Sequence, residues 1–119
     1  MNRCRGLSIF LLAMLSGCVP TAATNVDSPA AAIDMNETGF APDTANVMRG
    51  ETVCWKNTGS TPHWPASNIH PTHGIYPAFD PKKGIPPGEQ WCFLFGQAGI
   101  WRFHDHLQPE FSGVVNVKK

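Results

Sequence analysis

Apolar and polar residues alternate in a series of short runs over most of the chain. Ala31 to Met35 alternates around Ile33, and Ala45 to Met48 leads through Arg49-Gly50-Glu51 into Thr52-Val53-Cys54-Trp55-Lys56-Asn57, where Val53 and Trp55 share a face. Pro87-Gly88-Glu89 is a turn before Trp91-Cys92-Phe93-Leu94-Phe95, again with large side chains at every second position. Gln97-Ala98-Gly99 turns into Ile100-Trp101-Arg102-Phe103, and Gly113-Val114-Val115-Asn116-Val117 closes the series. Side chains alternate between the two faces of a strand, so each run predicts a short strand with one apolar face. Most of the chain's 11 prolines and 11 glycines punctuate these runs and argue against long helices, because proline inside a helix removes a hydrogen bond and clashes with the preceding turn. Short alternating strands between regular turn signals predict an all-β fold, a two-sheet sandwich or barrel.

The first quarter of the chain does not share this pattern. Arg3 and Arg5 precede the apolar run Leu7 to Leu15, and Ser16-Gly17-Cys18 supplies small residues at a cleavage point, so residues 1–17 read as a processing signal. The run is too short to span a bilayer, which takes roughly 20 apolar residues. Leu15-Ser16-Gly17-Cys18 resembles the bacterial lipobox, which implies that Cys18 becomes the lipid-bearing first residue of an extracytoplasmic protein held to the membrane on the periplasmic side. The alternative is an ordinary secretory signal with an incidental cysteine. Residues 18–32, rich in Ala, Thr, Ser and Asn, read as a flexible tether, and residues 33–119 as one folded domain.

A domain of this size has a core limited by its surface-to-volume ratio, so a covalent staple would help it. Cys4 leaves with the signal and Cys18 would carry lipid, which leaves Cys54 and Cys92 as an even pair in an oxidising compartment. Both stand in the opposite phase to the large apolar residues of their strands, so a cross-strand disulfide follows if the two strands are neighbours. Two inert thiols, or a cysteine bound to metal, are the alternatives; the outward phase argues against a shared interior site. Formal net charge is +0 and no basic cluster appears, so nothing points to a nucleic-acid partner.

All 5 histidines fall between positions 63 and 106. His63 follows Ser60-Thr61-Pro62, His70 and His73 lie in Asn68-Ile69-His70-Pro71-Thr72-His73, and His104 and His106 flank Asp105 at a strand end. Neutral imidazole is the commonest ligand for borderline metals. Residues i and i+2 of a strand project to one face, so His104 and His106 can present two nitrogens side by side, and a third from a neighbouring loop gives a set suited to Cu(II) or Zn(II). Clustered histidines outweigh the alternative of surface side chains in a Pro-rich loop that bind nothing. Trp55, Trp64, Trp91 and Trp101 read as core or rim packing.

The ordered series Ile33…Phe40-Ala41-Pro42…Val47-Met48-Arg49-Gly50-Glu51-Thr52-Val53-Cys54-Trp55-Lys56-Asn57…Thr61-Pro62-His63 resembles the front half of a cupredoxin of the plastocyanin/amicyanin type, in which such a strand leads to the first copper-ligating histidine. Pro87-Gly88-Glu89, Gly99 to Phe103 and Gly113 to Val117 match the back half. The resemblance implies a Greek-key β-sandwich. Laid without gaps on Trp101 to Gly113, the blue-copper loop of that family puts its cysteine on Asp105, its second histidine on Gln108 and its methionine on Phe111, and keeps only His63. A blue centre needs that thiolate, so the usual one cannot form. Gly99-Ile100-Trp101-Arg102-Phe103-His104-Asp105-His106-Leu107 is also similar to the paired-histidine segment of multicopper oxidase first domains, whose coppers lie between domains.

Together these residues imply a copper-binding lipoprotein with a non-blue site built from His63, His104 and His106, which His70 or His73 completes or caps. Such a protein would handle copper or pass electrons, with a copper-delivery or redox partner. Asp105 is an oxygen ligand or, better, a neighbour that fixes an imidazole tautomer. Two other classes remain open. One is a small copper enzyme with an intersubunit site, Glu110 and Asp105 being its acid/base candidates; the other is a cupredoxin fold that has lost its metal and acts as a binding module.

Overall fold

The computed structural model describes residues 28–119, and every regular element in that span is a strand. These are β1 (Ala31–Asn36), β2 (Gly39–Ala41), β3 (Thr44–Met48), β4 (Thr52–Asn57), β5 (Pro65–Ser67), β6 (Gln90–Leu94), β7 (Gly99–Asp105) and β8 (Gln108–Lys118). The expected signal, the lipid-bearing Cys18 and most of the expected tether lie outside the described residues; β1 takes up Ala31 and Ala32 at the tether's end.

Each strand of the alternating runs contributes one face to a shared core. Ile33 and Met35 of β1, Ala45 and Val47 of β3, Val53 and Trp55 of β4, Phe103 of β7, and Val115 and Val117 of β8 are all buried. The strands form two sheets, in the orders β2-β1-β4-β6 and β3-β8-β7-β5. Only β1–β2 and β7–β8 are consecutive strands paired within one sheet, and every other connection crosses between sheets. β1 runs parallel to β4 and β3 parallel to β8, while the remaining pairs are antiparallel. The all-β sandwich expected from the alternation is what forms.

Aromatic rings fill the space between the sheets. Trp55 meets Phe103 edge-on at 5.4 Å and Phe79 at 5.2 Å, and Phe79 meets Phe95 edge-on at 5.1 Å. Such pairs add to area burial by about 0.5–1.5 kcal/mol each. Phe79, Tyr76 and Ile85 come from the irregular segment 68–89 between β5 and β6, and all three are buried. That segment is therefore pinned to the core by its own side chains, although it has no strand of its own. Gly113 stands opposite Phe103 in the β7–β8 ladder, and a Cβ there would come within 2.5 Å of both the Phe103 ring and the Asp43 carbonyl. Only glycine lets the ring lie flat against that strand.

Cys54 and Cys92 face each other in the antiparallel β4–β6 register, between the pairs Val53–Phe93 and Trp55–Trp91, and are joined by a disulfide. Their Cα atoms are 4.0 Å apart. Cys54 is buried despite its outward phase, with Cys92 bonded over it. A cross-link closing a loop with a sequence separation of 38 restricts the unfolded chain, typically by 2–4 kcal/mol of stability. Urea denaturation of a Cys54→Ala/Cys92→Ala variant should show a loss of about that size, and an unchanged midpoint would refute the assignment of stability to this bond.

Candidate metal centre

β7 ends in Phe103-His104-Asp105, and the chain returns at once into β8. The β7–β8 register shifts between His104 and Asp105, where the ladder bulges. A bulge re-aims side chains at a strand end, and here it separates Asp105 from its two histidine neighbours. β5 runs beside this end, with Pro65 opposite Asp105 and Ala66 opposite His104. The segment after β5 then carries His70 and His73 over the same edge.

Four imidazoles meet there. His70, His73, His104 and His106 each offer a ring nitrogen, and these atoms all lie within 4.8 Å of one another. Three of the rings are held from behind. His73 Nδ1 donates to Asp80 Oδ2 at 2.7 Å, which leaves Nε2 as the lone-pair nitrogen. His104 Nδ1 donates to Asn68 Oδ1 at 2.9 Å, and its Nε2 is buried with no hydrogen-bond partner. His106 packs against Trp64 with ring centroids 4.4 Å apart and planes tilted by 42°, its backbone amide donates to the Trp64 carbonyl at 2.8 Å, and its Nδ1 donates to His73 Nε2 at 3.1 Å. His73 also sits in the left-handed region, at φ 57. A non-glycine residue there is disfavoured by about 1–2 kcal/mol, so the surrounding hydrogen bonds hold it in place.

The outer partners are linked to one another. Asp80 Oδ1 accepts from the Trp64 indole at 2.8 Å and from the Lys82 amide at 2.8 Å. Burial alone would raise the Asp80 carboxyl, but the hydrogen bonds from His73, Lys82 and Trp64 together outweigh it and hold its pKa below the ordinary carboxylate value. Burial, followed by the facing His73, His70 and His106, pushes His104 down to about 4. Burial, followed by His73 and His70, lowers His106 too. Both shifts favour the uncharged imidazole of His104 and His106 at neutral pH, the form that binds metal.

His63 stands apart from this group. Its Nδ1 is 2.6 Å from Asp105 Oδ2, and both side chains are buried. Asp105 Oδ1 accepts the backbone amides of Trp64 at 3.0 Å and Leu107 at 2.9 Å. The carboxylate therefore captures the imidazole expected to join His104 and His106, and the nearby ring of Phe111 lies 6.5 Å from that of His63. Asp105 does orient an imidazole, as expected, but it is His63 and not one of the four. Glu110 lies exposed on β8. Asn68, Asp80 and Trp64 were not expected in the site: Trp64 reads as packing, and no spacing rule marks an asparagine and an aspartate in a Pro-rich segment as partners of two separate histidines.

The geometry can be set beside known proteins. No family model matches the sequence, and no curated protein matches it either. Among solved structures, a purple cupredoxin from Nitrosopumilus maritimus aligns with 74% of this chain and 99% of its own at TM-score 0.64 and 22% identity. An oxidised amicyanin variant aligns over 75% of this chain and 82% of its own, also at TM-score 0.64 and 22% identity. The chain has the cupredoxin fold. A second amicyanin variant, in its Cu(I) form, aligns over 76% of this chain and 84% of its own at TM-score 0.65 and 22% identity. Within the cupredoxin fold, the four-histidine group occupies the end of the sheet where β7 meets β5 and the segment after it.

The depressed histidines give this end a pH dependence. In the unfolded chain His104 takes up a proton near its ordinary value of 6.5, while in the folded protein it does so only at about 4. Between those values the unfolded state binds more protons, so stability falls as pH is lowered through that window. Thermal melts of the metal-free protein should show Tm dropping from pH 6.5 to pH 4, with a shallower slope for His104→Gln. Equal slopes for the two proteins would contradict this account.

Proposed function

We propose that this protein is an extracytoplasmic, lipid-anchored copper-binding protein that holds Cu(II) in a non-blue, all-imidazole site and serves copper handling. The observation that carries the reading is the convergence of His70, His73, His104 and His106 on a space 4.8 Å across. Metal–imidazole bonds of about 2.0 Å put two nitrogens across a metal roughly 4 Å apart and adjacent ones roughly 3 Å apart. The 3.1 Å between His73 Nε2 and His106 Nδ1 already fits an adjacent pair, and the widest spacing must close by less than 1 Å. Metal would take the place of the hydrogen that His106 now donates to His73, and His106 would carry that proton on Nε2 instead.

The donor set favours copper in its higher oxidation state. Imidazole suits Cu(II), and the divalent affinity order puts Cu(II) above Zn(II) at equal geometry. Soft sulfur ligands, which favour Cu(I), are absent from the group: Cys54 and Cys92 are bonded to each other, Met35 is in the core and Met48 lies in β3. The cupredoxins of similar fold include copper-loaded amicyanin, which supports copper as the metal. An all-nitrogen site that disfavours Cu(I) supports storage or delivery over electron transfer. Asp105 stands where the family resemblance puts the blue-copper cysteine, and its pairing with His63 supports a site shifted to the neighbouring histidines. The disulfide supports a compartment outside the cytoplasm, in keeping with the signal and Cys18.

Copper titration followed by EPR tests the reading. The protein should bind one Cu(II) per chain, with nitrogen coupling in the spectrum and no intense thiolate band. A His104→Ala/His106→Ala variant should lose more than the ~10–100-fold in affinity that removal of an outer partner causes. No copper bound, or affinity unchanged in that variant, would overturn the proposal. Asp80→Asn should weaken binding by the smaller factor, about 10–100-fold, measured by competition with a chelator; wild-type affinity would show that the Asp80–His73 bond does not support the site.

A further inference from the structure

The four imidazoles are not held alike. His73 is tied to Asp80, His104 to Asn68, and His106 to the Trp64 carbonyl and ring. His73 and His104 are buried, and His106 is partly so. His70 is exposed and makes no hydrogen bond to any described residue; its ring touches only the other three, at 5.2 Å from His104, 5.0 Å from His106 and 6.5 Å from His73. Its neighbours Ile69, Pro71 and Thr72 are exposed as well. Three nitrogens are thus fixed in advance, while the fourth sits on the solvent side and must be ordered by the metal itself.

Resting on the copper-binding reading, we infer that His70 is the exchangeable ligand of the centre. Copper enters and leaves past it, and its coordination position is where a monodentate nitrogen donor from a receiving molecule takes over during transfer. The step is a substitution: the bond from copper to the His70 nitrogen breaks, a bond to the incoming nitrogen forms, and no electron moves. His73, His104 and His106 keep the ion in place while this happens, because each is braced by a partner that does not itself bind the metal. A donor arriving from any other side would have to displace an imidazole that is buried or packed against Trp64.

The test uses Cu(II) and free imidazole with the full chain. His70→Ala removes an exposed side chain, and its circular dichroism should match the wild type. It should still bind one Cu(II), with affinity reduced tenfold or less, and release it to EDTA at least tenfold faster than the wild type does. Its EPR spectrum should differ from the wild-type spectrum and return to it when imidazole is added. His104→Ala should show neither retention nor recovery. Copper lost as fully from His70→Ala as from His104→Ala would overturn the inference, since His70 would then be one fixed ligand among equals. A His70→Ala spectrum identical to wild type and insensitive to imidazole would overturn it as well, since His70 would not be a ligand. Failure of the wild type itself to bind copper would remove the underlying reading, and is distinguished by needing no variant.

Discussion

The histidine-rich end of the molecule is organised by one buried carboxylate. Asp105 is fully enclosed, and an enclosed carboxylate is stable only when its oxygens are satisfied. Its partners are the His63 ring, the Trp64 amide and the Leu107 amide. Those three bonds lock the start of β5, the end of β7 and the turn into β8 to one another. Because Asp105 is drawn inward between two histidines, His104 and His106 are left to project together on the other side. The side-by-side placing of His104 and His106 is in that sense a by-product of satisfying one acid.

A second constraint acts from the core. The segment 68–89 would be free to wander were it not for Tyr76, Phe79 and Ile85, which are sunk among Trp55, Phe95 and Phe103. Phe79 bonds back to the sheet through Ser67, whose amide donates to the Phe79 carbonyl at 2.9 Å. Asp80 follows directly, and so arrives beside His73 with little freedom left. Packing energy in the core is converted in this way into a fixed imidazole at the surface.

Much of this was legible in the sequence, and the boundary is physical. Period-two alternation reports strands because it reflects a local geometry, and it located β1, β4, β6, β7 and β8. It also put Cys54 and Cys92 in matching phase, which antiparallel pairing then brought face to face. The H-x-H pair was legible for the same reason. What could not be read was contact across long separations. Nothing local says that Asp105 pairs with a residue 42 positions earlier, or that His73 and His104 lean on Asp80 and Asn68. His63 was expected to be a ligand because the cupredoxin-like series leads to it; that its Nδ1 meets the Asp105 carboxylate could not be read from the chain. Trp64 looked like packing, and is both packing and hydrogen-bond donor.

The disulfide has a meaning beyond stability. It joins β4 to β6 in one sheet, while the histidines gather at the edge of the other. Thiolates bind copper more avidly than imidazoles do, and copper in turn oxidises them. A chain that met the ion with Cys54 and Cys92 still reduced would offer it the wrong ligands in the wrong sheet. On the copper-binding reading proposed above, sealing those sulfurs would impose an order on maturation: oxidation first, metal second.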